Sequence, residues 1–212
     1  MKLNQYIDHT LLKPDATPQD IRCLCMEAAK HNFAAVCVSP CYVDLAVSLL
    51  TGTGVKVATV IGFPLGANLS IVKAFEAKQA VLHGADELDM VINIGAAKLG
   101  LWEAVLYDIQ QVLAEAQGRI VKVIVETGLL TMEEKERVCH IVLESGAQFI
   151  KTSTGFAAGG AVVEDIALFK SILGEKIGIK ASGGIRTVEE AAAMIAAGAT
   201  RIGTSKGVDI VS

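Results

Sequence analysis

His83-Gly84-Ala85-Asp86-Glu87-Leu88-Asp89-Met90-Val91 carries the fold in miniature. A helical pattern runs up to His83, a glycine stops it, and a β-rich run begins at once. Glycine takes the left-handed backbone that ends a helix without steric cost. Short helix-to-strand loops use it in that way. The same mark returns at Ser145-Gly146-Ala147-Gln148 and at Ala197-Gly198-Ala199-Thr200. Lys30-His31-Asn32-Phe33 fills the equivalent place, with asparagine as the cap.

Strand patterns lie near 7–11, 34–38, 56–61, 87–92, 120–126, 149–152, 178–181 and 201–203. Helical periodicity fills the gaps at 18–31, 42–50, 70–83, 102–117, 132–145, 164–173 and 188–197, with a short last helix at 208–212. Thr17-Pro18 and Thr131-Met132-Glu133-Glu134 are good helix starts, with a hydroxyl cap and acids in the first turn. Strand then helix, repeated eight times without a long linker, predicts an α/β fold, the (β/α)8 TIM barrel, as a single domain over 1–212. The alternative is an open doubly wound sheet. Its G-x-G-x-x-G fingerprint is absent after the first strand, and Gly52-Thr53-Gly54 precedes a strand, as a turn does.

Composition agrees. At ~150 residues per domain, 212 residues suit one α/β barrel. Hydrophobic residues make up 52% and charged residues 20%, which excludes a disordered chain. The mean hydropathy of +0.48 raises the question of membranes. No apolar run approaches the ~18 residues that a spanning helix needs, and Met1-Lys2-Leu3-Asn4-Gln5 lacks the apolar stretch of a signal peptide. A net charge of −4 argues against a nucleic-acid partner. Five cysteines, an odd number, fit a reduced cytoplasmic compartment. His9, His31, His83 and His140 are scattered without metal-site spacing.

A barrel keeps its active site at the C-terminal ends of its strands. Reactive residues crowd there: Asp8 on the first strand, Cys37 on the second, Glu87 and Asp89 on one side of the fourth. Lys122 and Glu126 share a side of the fifth, Lys151 ends the sixth, and Lys180 lies on the seventh. A barrel filled only for packing holds Val, Ile and Leu; charges there are costly unless paired. Lys151 emerges from the apolar run Phe149-Ile150. Burial and a neighbouring cation both disfavour its ammonium form, and Lys180 on the next strand supplies that cation. A neutral lysine amine attacks a carbonyl to form a Schiff base, and Asp89 is placed to move protons. The bland alternative is a lysine snorkelling to the surface; two such lysines plus an inward carboxylate favour function.

Ser182-Gly183-Gly184-Ile185-Arg186-Thr187 follows the seventh strand, and Gly203-Thr204-Ser205-Lys206-Gly207 follows the eighth. Barrels bind phosphate in those two loops through backbone N–H groups and a helix N-terminus; the alternative is tight turns. Cys37 reads as a packed thiol rather than a nucleophile, since no partner base is evident. The aromatics are too few for a base-stacking platform. Glu133, Glu134, Lys135, Glu136 and Arg137 read as a solvated helix face.

These residues resemble those of the deoxyribose-phosphate aldolases, a class I aldolase family of deoxynucleoside breakdown. The likeness runs end to end: Ile7-Asp8-His9-Thr10-Leu11-Leu12-Lys13-Pro14, Ala35-Val36-Cys37-Val38-Ser39-Pro40, Ile61-Gly62-Phe63-Pro64-Leu65-Gly66, the opening stretch from Gly84, Lys122-Val123-Ile124-Val125-Glu126-Thr127, Lys151-Thr152-Ser153-Thr154-Gly155-Phe156 and Lys180-Ala181-Ser182-Gly183-Gly184-Ile185-Arg186-Thr187. The resemblance implies reversible cleavage of 2-deoxy-D-ribose 5-phosphate to D-glyceraldehyde 3-phosphate and acetaldehyde, with no metal or organic cofactor. It makes Lys151 the Schiff-base lysine and Asp89 and Lys180 the proton donor/acceptor pair. Asp8, Thr10, Cys37 and Thr154 become substrate contacts, and Gly155, Gly183, Gly184, Gly203 and Ser205 phosphate contacts. It further implies a homodimer or other small homo-oligomer.

This sequence departs from some members in having Phe156 where they carry lysine and Ser205-Lys206 where they carry paired serines. It ends at Val211-Ser212, where they extend to a terminal tyrosine. Two other readings stand beside this one: another phosphate-binding barrel, such as a sugar-phosphate isomerase, and a silent sugar-phosphate sensor.

Overall fold

The computed structural model describes residues 3–212. Met1 and Lys2, which begin the stretch read above for a leader, lie outside the described residues. Eight parallel strands close into a barrel in sequence order, with the first beside the eighth. The strands are β1 (Ile7–Leu11), β2 (Ala35–Val38), β3 (Lys56–Ile61), β4 (Glu87–Val91), β5 (Ile120–Ile124), β6 (Phe149–Lys151), β7 (Gly178–Ser182) and β8 (Arg201–Thr204). Around them run α1 (Pro18–His31), α2 (Val43–Leu50), α3 (Ser70–Leu82), α4 (Ile94–Lys98), α5 (Trp102–Glu115), α6 (Met132–Ser145), α7 (Val163–Leu173), α8 (Val188–Ala197) and α9 (Gly207–Val211). Among the described residues, no helix is long and apolar enough to cross a membrane.

The caps read from sequence do what their chemistry predicts. Thr17 and Thr131 each accept a backbone N–H three residues on, while Asp20 and Glu134 reach back to the cap N–H. Such caps contribute roughly 0.5–2 kcal/mol each. Asn32, Gly146 and Gly198 end their helices in the left-handed conformation. Thr187 and Glu190 form a third capping box, on α8.

Four details differ from the sequence reading. Helix α4 has no counterpart in it, because five residues with a glycine among them show no periodicity; Asn93 caps it by accepting from Ala96 N–H. Strand β5 stops at Ile124, and Glu126 takes a left-handed φ of 57°. The period of two therefore does not carry Glu126 to the side of Lys122; its carboxylate instead accepts from the Thr154 hydroxyl. The run 133–137 is not wholly a solvated face. Glu134 also receives Lys98 at 2.7 Å, and Lys135 donates to the buried Asp165 of α7 at 2.7 Å. Finally, a 3-10 turn at Pro40–Tyr42 precedes α2.

Strand alternation divides the core. Leu88 and Met90, Val121 and Val123, and Ile179 and Ala181 belong to the apolar shell shared with the helices. Their alternates Glu87, Asp89, Lys122 and Lys180 are buried with the barrel's polar residues. Cys37, Ala58 and Val60 form a small apolar patch of their own, backed by Leu12 and Phe63.

Candidate active site

Register sets the inner residues beside one another. Asp89 on β4 is level with Lys122 on β5. Lys151 on β6 is level with Lys180 on β7, and Lys180 with Arg201 on β8. Like charges on neighbouring strands repel, so this arrangement needs carboxylates from elsewhere in the barrel. Asp89 and Asp8 supply them. Lys151 Nζ donates to Asp89 Oδ2 at 2.8 Å, and Lys180 Nζ donates to the same oxygen at 2.7 Å. Lys180 also donates to Asp8 Oδ2 at 2.5 Å. Lys122 donates to Asp89 Oδ1 at 2.7 Å and pairs with Glu87 at 2.6 Å. Arg201 donates to Asp8 Oδ1 at 2.7 Å and spans both oxygens of Glu87 at 3.1 and 3.3 Å.

The two lysines expected to work together have opposite proton affinities. Burial pushes the Lys151 amine below the ordinary lysine range; the Lys180 cation adds to this, and Asp89 only partly opposes it. Burial works against the Lys180 ammonium too, but Asp8 and Asp89 outweigh it and hold the proton. Asp89 is the mirror case. Burial alone would raise its pKa, yet Lys122, Lys151 and Lys180 together hold the carboxyl well below its usual range. Burial raises the Cys37 thiol, which keeps it protonated and a poor nucleophile.

A cleft of about 310 Å³ opens over Lys151. Its walls come from the loops after β1, β6, β7 and β8. Thr10, Lys151, Thr154, Gly155, Gly183, Gly184, Gly203 and Ser205 all line it, so most of the expected set is brought together. The N–H groups of Gly155, Gly183, Gly184 and Ser205 donate to nothing among the described residues. Gly183 and Gly184 have φ values of 91° and 85°. Gly203 has a different reason to be glycine: a Cβ there would stand 3.0 Å from Lys180 Cε and 2.9 Å from Ser182 Cβ.

Asp89 and Lys180 lie beneath the cleft, behind Lys151. Asp8, expected against substrate, has no exposed surface, and its two oxygens are taken by Lys180 and Arg201. Cys37 is likewise fully buried, in the apolar patch with Ala58 and Val60, away from the cleft lining. The Thr154 hydroxyl is engaged with Glu126 and accepts from Phe156 N–H, so its place on the wall is fixed from behind. Phe156 closes the rim, edge-on to Phe63 with ring centroids 5.2 Å apart.

The sequence reading gave no part to Arg201, Lys13 or Arg186. Arg201 begins the run read as the eighth strand, and its partners Asp8 and Glu87 lie on β1 and β4, far from it in the sequence. Lys13 and Arg186 line the cleft and form no ion pair among the described residues. They give the glycine loops two cations for an anionic group.

A (β/α)8 barrel with a desolvated lysine under an anion-ready cleft defines an enzyme of carbonyl chemistry. Residues 2–212 match the family model described as DeoC/LacD family aldolase, and the chain belongs to that family. A "Deoxyribose-phosphate aldolase" of Streptococcus suis is 53% identical over 212 residues, covering 100% of this chain and 96% of the relative. The solved structure described as "QR15, an Aldolase" superposes with a TM-score of 0.95 at 44% identity, over 99% of this chain and 94% of the other. The Aeropyrum pernix deoxyribose phosphate aldolase, described as a "unique tetrameric structure", superposes with a TM-score of 0.90 at 36% identity, over 99% and 89% of the two chains.

Proposed function

We propose that this aldolase cleaves 2-deoxy-D-ribose 5-phosphate reversibly to D-glyceraldehyde 3-phosphate and acetaldehyde through a Schiff base on Lys151. One observation carries the reading: the Lys151 amine, its proton affinity lowered by burial, sits under the cleft and shares Asp89 Oδ2 with a lysine that stays charged. The names of the similar aldolases support the substrate.

The amine of Lys151 adds to the C1 aldehyde of the open-chain sugar, and loss of water gives an iminium. The C3 hydroxyl gives up its proton to the Asp89–Lys180 pair. The C2–C3 bond then breaks, its electrons move into a C1–C2 enamine, and D-glyceraldehyde 3-phosphate leaves. Protonation at C2 regenerates an iminium, and water releases acetaldehyde and the free amine. Lys180, held cationic by Asp8 and Asp89, keeps the neighbouring amine neutral and relays protons. The phosphate lies on the N–H groups of Gly155, Gly183, Gly184 and Ser205, with Gly203 leaving room beside them and Lys13 and Arg186 adding charge. Thr10 faces the sugar hydroxyls. Asp8 acts through Lys180.

The wider reading is of one domain over 1–212 in a reducing, cytoplasmic setting, consistent with five free cysteines. It includes a small homo-oligomer, for which the exposed Leu69, Ile71 and Phe75 on and beside α3 offer an apolar face. The test is reductive trapping. Acetaldehyde and borohydride should leave a two-carbon adduct on Lys151 in peptide mass maps. Labelling scattered over surface lysines, or none, overturns the mechanism and favours an isomerase or a sensor.

A further inference from the structure

We infer that Lys122, Glu87 and Arg201 are positioning residues whose charges decide which lysine of the barrel gives up its proton. This rests on the reading of Lys151 as the imine-forming amine.

Three carboxylates, Asp8, Glu87 and Asp89, meet four basic groups, Lys122, Lys151, Lys180 and Arg201, in one connected set of contacts. Buried charges are tolerated when each is paired. Three carboxylates balance three cations, and the fourth basic group is surplus. Its proton is the one the low-dielectric interior expels.

Geometry selects which group that is. Lys122 meets Asp89 and Glu87 and stands 3.5 Å from Asp8. Lys180 meets Asp8 and Asp89. Arg201 meets Asp8 and Glu87, and a guanidinium does not deprotonate in proteins. Lys151 meets Asp89 alone, at an oxygen already receiving Lys180. Lys122 on β5, Lys180 on β7 and the Cys37 thiol on β2 are the other titratable groups around it; Lys180 lowers its proton affinity by more than Cys37 raises it, and neither lysine adds a negative charge. The proton affinities run the same way: those of Lys122 and Lys180 are raised while that of Lys151 falls.

A network that only braced the barrel would weaken activity in every variant. A network that sets charge must respond with sign. Glu87→Gln removes one negative charge at nearly constant shape and should make Lys151 easier to deprotonate. Lys122→Met removes one positive charge, so Lys151 becomes the third cation and should keep its proton. The experiment follows imine formation between acetaldehyde and Lys151 in the full chain across about pH 5 to 10, by cyanoborohydride trapping and peptide mapping. Lys122→Met should move the acid limb up by about one pH unit or more. Glu87→Gln should move it down, and the double variant should return it close to the original. Should Lys122→Met fail to fold, Arg201→Gln withdraws the same charge nearer the surface and must move the limb in the same direction. Trapping on Lys151 with both limbs unmoved, or moved the same way, overturns the inference. Absence of a Lys151 adduct in the unaltered chain overturns the lysine assignment, and this inference with it.

Discussion

Two of the buried lysines have a lowered proton affinity, one in the helical shell and one in the barrel. Lys73 on α3 has no exposed surface. Its Nζ donates to Val91 O at 2.9 Å and to Asp108 Oδ2 on α5 at 2.5 Å. Burial pushes its proton affinity down, as it does for Lys151, and Asp108 opposes that shift. The surroundings differ. Lys73 has an acid and a carbonyl to itself and forms no part of the cleft; it ties the end of β4 to α5. Lys151 shares its carboxylate oxygen with a second lysine and opens onto a cleft. A lowered proton affinity therefore does not make a nucleophile. Access and an unshared claim on the partner acid separate the two.

The sharpest way to break this comparison is to remove each amine in turn. Lys151→Met should lower turnover by at least ~10³-fold while circular dichroism and melting stay native-like. Activity near that of the unaltered chain would dissolve the distinction. Lys73→Met should do the reverse. It leaves Asp108 buried with an unpaired charge, a loss of about 3–5 kcal/mol in chemical denaturation, while acetaldehyde still traps Lys151 in the folded fraction. The double variant with Asp108→Asn should recover part of that stability. Failure of Lys73→Met to destabilise the fold would mean the shell pair contributes nothing net.

Acid gives the smallest effect and acts on the barrel side. Asp8 and Asp89 are held well below the usual carboxylate range, because burial, which would raise them, is outweighed by the lysines and Arg201. Folded carboxylates of this kind bind fewer protons than unfolded ones. Their stabilisation is full above the unfolded value of about 4 and is lost as pH falls through the folded values. Urea unfolding should therefore show stability falling below about pH 4, by roughly 2 kcal/mol for each carboxylate at the acid limit. A flat profile there would mean the two acids are not ion-paired in solution.

The barrel was legible because its punctuation is chemical. Gly146, Gly198 and Asn32 stand where a left-handed backbone was needed, and the hydroxyl caps marked the opposite ends. The lysines were legible because strand position says where the cleft opens. What escaped depends on contacts between distant strands. Arg201 opens the eighth strand, and only closure of β8 onto β1 brings it to Asp8. Asp8 entered as a substrate contact through the family resemblance alone, and its grip on Lys180 and Arg201 depends on β7 and β8 closing onto β1. Glu126 was misplaced because one left-handed residue ended the alternation, and nothing in Val125-Glu126-Thr127 announces that φ.

Gly203 puts the vulnerability of this enzyme in evolutionary terms. A glycine codon lies one base from alanine, so a methyl at this position is within reach of a single copying error. That methyl would press on Lys180 Cε and Ser182 Cβ together, displacing the charged partner of an amine on the neighbouring strand. The mutational target for inactivating this enzyme therefore extends beyond the side chains that do the chemistry, and takes in a residue whose contribution is to have none.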